Sequence, residues 1–190
     1  MPRGPPTAPR ARTGRARAPR SGESSSVLVR LTKLSDQRHA LEIERGGGSE
    51  RVELETRSTL HHDLTHLALE ELAGLDGGFF GSLAAGKTLA ELAGRGEGAP
   101  AYTGLMLEIE RAVVVLQHLP KVDEDPARLH ARIAESLAIQ GASPPLWFTL
   151  ELVRAVRERL RALVGRWKAT PYGSAMELSW RGSSEHAQPK

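Results

Sequence analysis

The stretch VLVRLTKLSDQRHALEIERGGGSERVELE, Val27 to Glu55, decides the fold. Val27, Val29 and Leu31 alternate with Leu28, Arg30 and Thr32. Beyond a turn at Ser35-Asp36, Leu41 and Ile43 alternate with Glu42 and Glu44. Beyond the loop Gly46-Gly47-Gly48-Ser49, Val52 and Leu54 alternate with Arg51, Glu53 and Glu55. A period of two with one apolar and one charged face specifies strands that bury one side only. Connections this short join neighbours antiparallel, so the three strands form a meander. Far along the chain, after Pro171-Tyr172-Gly173, Met176, Leu178 and Trp180 alternate with Ala175, Glu177 and Ser179. That is a fourth strand, able to return to the meander. The expected fold is α+β: an antiparallel sheet of about four strands covered on one face by a helical layer.

Between the strands the apolar spacing is helical. Leu60 to Ala73 reads as a helix with Ser58 or Thr59 as N-cap, Asp63 in its first turn and Gly74 as its stop. Tyr102 to Leu119 is apolar nearly all round in its second half and is expected to be the most buried helix. Asp125-Pro126 opens a helix to about Ile139, and Ser143-Pro144 opens the last one, to about Trp167. On that last helix Leu146, Leu150, Val153, Val156, Leu160, Leu163, Val164 and Trp167 form the apolar stripe. Arg154, Arg157 and Arg161 form a basic ridge, read as a solvated face.

Chemistry concentrates in His61-His62-Asp63-Leu64-Thr65-His66-Leu67-Ala68-Leu69-Glu70, which holds three of the seven histidines. At about 100° per residue, Leu60, Leu64, Leu67 and Ala68 share one stripe. His62, His66 and Glu70 share a second, with Asp63 at its edge. Residues four apart on a helix are neighbours, so His62 and His66 can aim two imidazoles at one ion. Asp63 is the third metal-site residue, as a ligand or as the carboxylate that orients His66. Glu70 lies roughly 12 Å from His62 along the axis, too far to share an ion comfortably. It is cast as a partner of His66 or as a catalytic base. The remaining ligands must come from elsewhere, and His118, His130, Glu108 and Glu110 are the candidates. Zinc is favoured by ligand type, with iron or manganese as alternatives.

HDLTHLALE followed by GFFGSLAAG resembles an uncharacterised bacterial family in which an HDLTH-x-x-x-E helix precedes a GF-x-G-x-x-A-x-G segment. The resemblance covers Val27 to Leu92 and implies a fold but no chemistry. The HDxxH core is also similar to the zinc motif of a ubiquinone-biosynthesis protein. That motif continues with eleven residues and a Glu, and Gly78 stands at the corresponding position here.

Gly81 to Thr88, GSLAAGKT, matches the phosphate-loop pattern G-x-x-x-x-G-K-[ST]. The pattern requires a buried strand before it and a long helix after it. Neither is expected here, so the match is read as chance. A metal phosphohydrolase of the HD kind fits the His62-Asp63 doublet but lacks its upstream helical histidine, since His39 falls in a strand.

At 190 residues the chain allows one domain with tails, read as 27–182 between an Arg/Pro-rich disordered tail, 1–26, and a polar tail, 183–190. Six of the 26 basic residues and one of the 23 acidic ones lie in the first tail, leaving 20 basic against 22 acidic, a net −2. The N-terminal tail reads as an inert extension, and a nucleic-acid surface on the folded domain is not expected. There are no cysteines, which excludes disulfides and thiolate metal sites and suits a cytoplasmic protein. No apolar run approaches the roughly 18 residues of a membrane span. Two functions follow as expectations. One is a metal-dependent hydrolase or lyase acting on a small-molecule substrate. The other is a non-catalytic interaction or homo-oligomerisation module in which the His/Asp/Glu stripe is a structural polar network.

Overall fold

The computed structural model describes residues 26–92, 104–118, 125–139 and 141–182. Residues 1–25, 93–103, 119–124, 140 and 183–190 lie outside the described residues. Three strands open the fold: β1 (Ser26–Lys33), β2 (Arg38–Arg45) and β3 (Gly48–Glu55). The strand β4 (Ala175–Arg181) closes it, pairing antiparallel with β1 to give the order β3-β2-β1-β4. The fold is α+β, as the alternation requires. The β2–β3 hairpin is tighter than the glycine run suggests. Only Gly46 and Gly47 form the turn, with φ of 53° and 80°, and Gly48 already pairs with Arg45. Two consecutive positive φ angles match the right-handed twist of the flanking strands, and glycine adopts them without strain.

One sheet face carries Val27, Val29, Leu31, Leu41, Ile43, Met176, Leu178 and Trp180, all buried. The other carries Arg30, which bridges Glu44 on β2 and Glu177 on β4. The helical layer covers the apolar face. Its members are α1 (His61–Ala73), α2 (Phe79–Ala84), α3 (Leu89–Leu92), α4 (Gly104–Leu116), α5 (Pro126–Ile139) and α6 (Leu150–Ala169).

Two local expectations need correction. Neither Ser58 nor Thr59 caps α1. The chain leaves β3 through a wide π-helical turn, Thr56–Leu60, that runs directly into the helix, and the Thr59 hydroxyl donates to the Glu55 carbonyl instead. The last helix opens at Thr149 and not at Ser143-Pro144. The Thr149 Oγ1 accepts from Leu152 N, and Leu146 consequently lies outside the helix, fully exposed. The structure agrees with the reading of GSLAAGKT as a chance match: Gly81 lies inside α2 and the Thr88 hydroxyl donates to Glu91.

The HDLTH helix is the centre of the layer. It packs on α2, α4 and α6, and Leu64 to Glu70 are buried without interruption. Arg159 on α6 clamps it through a two-pronged ion pair to Glu71. The second stripe of α1 therefore faces protein, not solvent, and its histidines must find partners there.

Candidate metal centre

Glu70 explains the local architecture. Its carboxylate is buried and accepts the amide N–H of Phe79 (2.8 Å), Phe80 (2.9 Å) and Gly81 (3.2 Å). These are the first amides of α2, which its own N-cap, Gly78, leaves without a side-chain partner. An acid from α1 thus does the work of the missing cap, with help from the helix dipole. A Cβ on Gly78 would lie 2.2 Å from the Glu70 carboxyl carbon, so only glycine leaves room for the carboxylate. The two halves of the motif quoted above, HDLTH-x-x-x-E and GF-x-G, meet in this contact.

The fourth bond to Glu70 sets the site. His66 Nδ1 lies 3.0 Å from Glu70 Oε1. Glu70 accepts there, so Nδ1 carries the proton and Nε2 faces outward. Glu110, from α4, places Oε1 3.2 Å from His66 Nε2 and Oε2 3.7 Å from His62 Nε2. The approach to His66 is off the N–H direction, and among the described residues His66 Nε2 has no hydrogen bond. The His62 and His66 rings meet edge to face at 4.7 Å. One ligand atom from each of His62, His66 and Glu110 lies within 4.8 Å of the others. In a tetrahedral site with bonds of about 2.1 Å the ligand atoms stand roughly 3.4 Å apart, so an ion would have to draw the widest pair together by about an ångström or more. His62, the most exposed of the three, can make that adjustment.

Charge argues the same way. Burial alone would push the His66 imidazole down, but the carboxylates of Glu110 and Glu70 more than reverse this and raise it to about 9. Burial and the neighbouring His66 charge push His62 down, keeping its lone pair free at neutral pH. Burial would raise Glu110, yet the close approach and charge of His66, with the charge of His62, hold it below the usual carboxylate value. A neutral His66 would point a lone pair at a carboxylate oxygen, so the gap between them requires a shared cation, a proton or a metal ion.

Without metal, that proton links the site to stability. The raised His66 value favours the folded state while the ring is charged. Its contribution is complete below about pH 6.5 and is lost as pH rises through about 9. We expect metal-free protein to lose roughly 3 kcal/mol across that interval, and the His66→Ala variant to lack this slope. Urea unfolding at pH 6.5 and 9 in the presence of chelator measures it, and a flat profile would remove the charged-His66 description.

The remaining expected residues lie elsewhere. Asp63 turns away from His66, and its Oδ2 is 3.9 Å from Nε2 of the fully buried His39 on β2. Glu70, with four donors around its two oxygens, has no free face toward substrate. His118 and Glu108 are exposed, and His130 contacts the Phe148 carbonyl and stacks on its ring. Glu110 is thus the one of the four outside candidates that joins the pair. It falls on the α1 side of α4 next to the buried Ile109 and Val113, a position the helical period could have indicated.

The group lines a cleft of about 600 Å³ with residues of β2, β3, α1, α2, α3 and α4. His62, Asp63, His66 and Glu110 are among its polar lining residues, while Leu41, Val52, Leu54, Phe79, Leu89 and Leu92 supply apolar surface. No helix among the described residues is long and apolar enough to cross a membrane. No protein-family model, curated protein or solved structure matches the chain.

Proposed function

We propose that this protein binds one divalent metal ion through His62, His66 and Glu110 and uses it as a hydrolase or lyase on a small molecule. The observation that carries the reading is the buried, unbonded His66 Nε2 beside the Glu110 carboxylate, with the His62 ring closing the group. Two histidines and one carboxylate, with the cleft side open, are the donor set of catalytic zinc sites that keep a position for water or substrate. Zinc is the favoured ion for these ligands. Glu70 holds His66 in the metal-binding tautomer, as a carboxylate behind a ligating histidine does. A bound ion supplies Lewis acidity and brings the pKa of its water to about 7. Asp63 lines the cleft, and its Oδ2 has no hydrogen bond among the described residues. That oxygen is buried and turned toward His39, so it is not placed as a base in the cleft, and Glu70 cannot fill that role with its oxygens engaged.

A second reading has its own support. A His66 charged at neutral pH and set between Glu70 and Glu110 balances the site with no metal, as a structural network in an interaction module. Zinc titration of chelator-treated protein, in two buffers of different ionisation enthalpy at pH 7.5, separates the two. The metal reading expects one equivalent bound and about one proton released as the ion displaces it from His66. Absence of uptake with folding intact would leave only the network.

A further inference from the structure

The sheet face under the helical layer is unevenly covered. On β1, β2 and β4, its residues are nearly inaccessible: Val29 and Ile43 are 1% exposed and Leu178 is 5% exposed. The register puts Val52 opposite Leu41 and Leu54 opposite His39, so both β3 residues belong to that same inner face. They are nevertheless only half-buried. They share the lining of one cleft with Leu89 and Leu92 of the short helix α3. The same cleft is lined by His62, His66 and Glu110. The fold thus joins an unfilled apolar wall to a cluster of metal-ligating atoms in one cavity.

Wall chemistry restricts what fits. Among the described residues, Arg51 is the one cationic side chain lining the cleft apart from the histidines, against the acids Glu50, Asp63 and Glu110. Among the described lining residues there is neither a row of basic groups nor a glycine-rich amide cradle to hold several phosphates. Leu41, Val52, Leu54, Phe79, Leu89 and Leu92 offer contact to hydrocarbon or an aromatic ring.

We propose that the ligand of this cleft is an amphipathic small molecule, with an apolar acyl or aryl body on Val52 and Leu54 and an oxygen-donor head at the metal end. The inference rests on the metal reading and adds the substrate class to it. The head is a carboxylate, an acyl carbonyl or a related group that an ion can hold. The body supplies affinity by leaving water, and phosphate-rich or sugar-like molecules are excluded.

The test uses zinc-loaded full-length protein and straight-chain alkyl hydroxamates from the acetyl to the octanoyl member, with affinity measured by calorimetry. Affinity should climb about three- to fourfold per added methylene until the cleft is filled. In Val52→Ser and Leu54→Ser the climb should flatten while zinc stoichiometry stays at one. Both positions are half-exposed, and the wild-type series alone already decides the matter. One zinc bound with affinity independent of chain length would overturn this inference and leave the metal centre standing. Failure to take up zinc would remove the metal centre first and the inference with it.

Discussion

Replacing His66 with alanine should lower zinc affinity by at least a hundredfold. His66 is the pivot of the site. Glu70 fixes its tautomer from one side at 3.0 Å, and its other nitrogen faces Glu110 at 3.2 Å. Losing only a carboxylate behind a ligating histidine typically costs 10–100-fold in affinity, so loss of the ligand itself must cost more. His62→Ala should weaken zinc as well, but with less harm to folding, because its ring is partly exposed and bears no partner as deep as Glu70. Glu110→Gln keeps the shape and removes the charge, and should weaken zinc at least tenfold. Calorimetry and metal analysis of the three variants, each checked for folding by circular dichroism, provide the measurement. Unchanged zinc binding in His66→Ala would show that the ion, if bound, sits elsewhere.

The second large effect concerns stability. Glu70→Ala should destabilise the protein by about 3–5 kcal/mol, because it strands buried groups and not merely one bond. The amides of Phe79, Phe80 and Gly81 would lose their acceptor, and the His66 ring would lose its orienting partner. For a chain of this size such a loss corresponds to a fall of roughly 10–15 °C in melting temperature. Glu70→Gln should recover little, since its NH2 would face N–H donors. Gly78→Ala offers an independent route to the same defect, because the added Cβ occupies the place of the carboxylate. Scanning calorimetry of metal-free protein settles the point. A melting temperature within a degree or two of wild type in Glu70→Ala would mean that α2 does not depend on this acid.

Much of the architecture is visible in the order of residues. The alternation over Val27–Glu55 and again at Met176–Trp180 is a local property, since successive strand side chains point to opposite faces whatever surrounds them. The pairing of His62 with His66 is local too, as any helix through them brings i and i+4 together. His39 could be placed on the inner face by the same alternation, two residues before Leu41. The helix starts were harder to read. Ser58, Thr59 and Ser143 have the hydroxyls of N-caps, but the π-helical turn after β3 and the competing Thr149 decided where the helices begin.

The sequence by itself determined the sheet, the helical layer and one helix turn with two imidazoles on a common side. Tertiary structure alone decided what meets them. Glu110 arrives from 44 positions beyond His66, Glu70 is drawn to the amides of the 79–81 segment, and Asp63 turns to His39. The reason is physical: strand and helix periods act over a few residues, whereas a buried donor or acceptor takes whichever partner the packing of distant elements brings within about 3 Å.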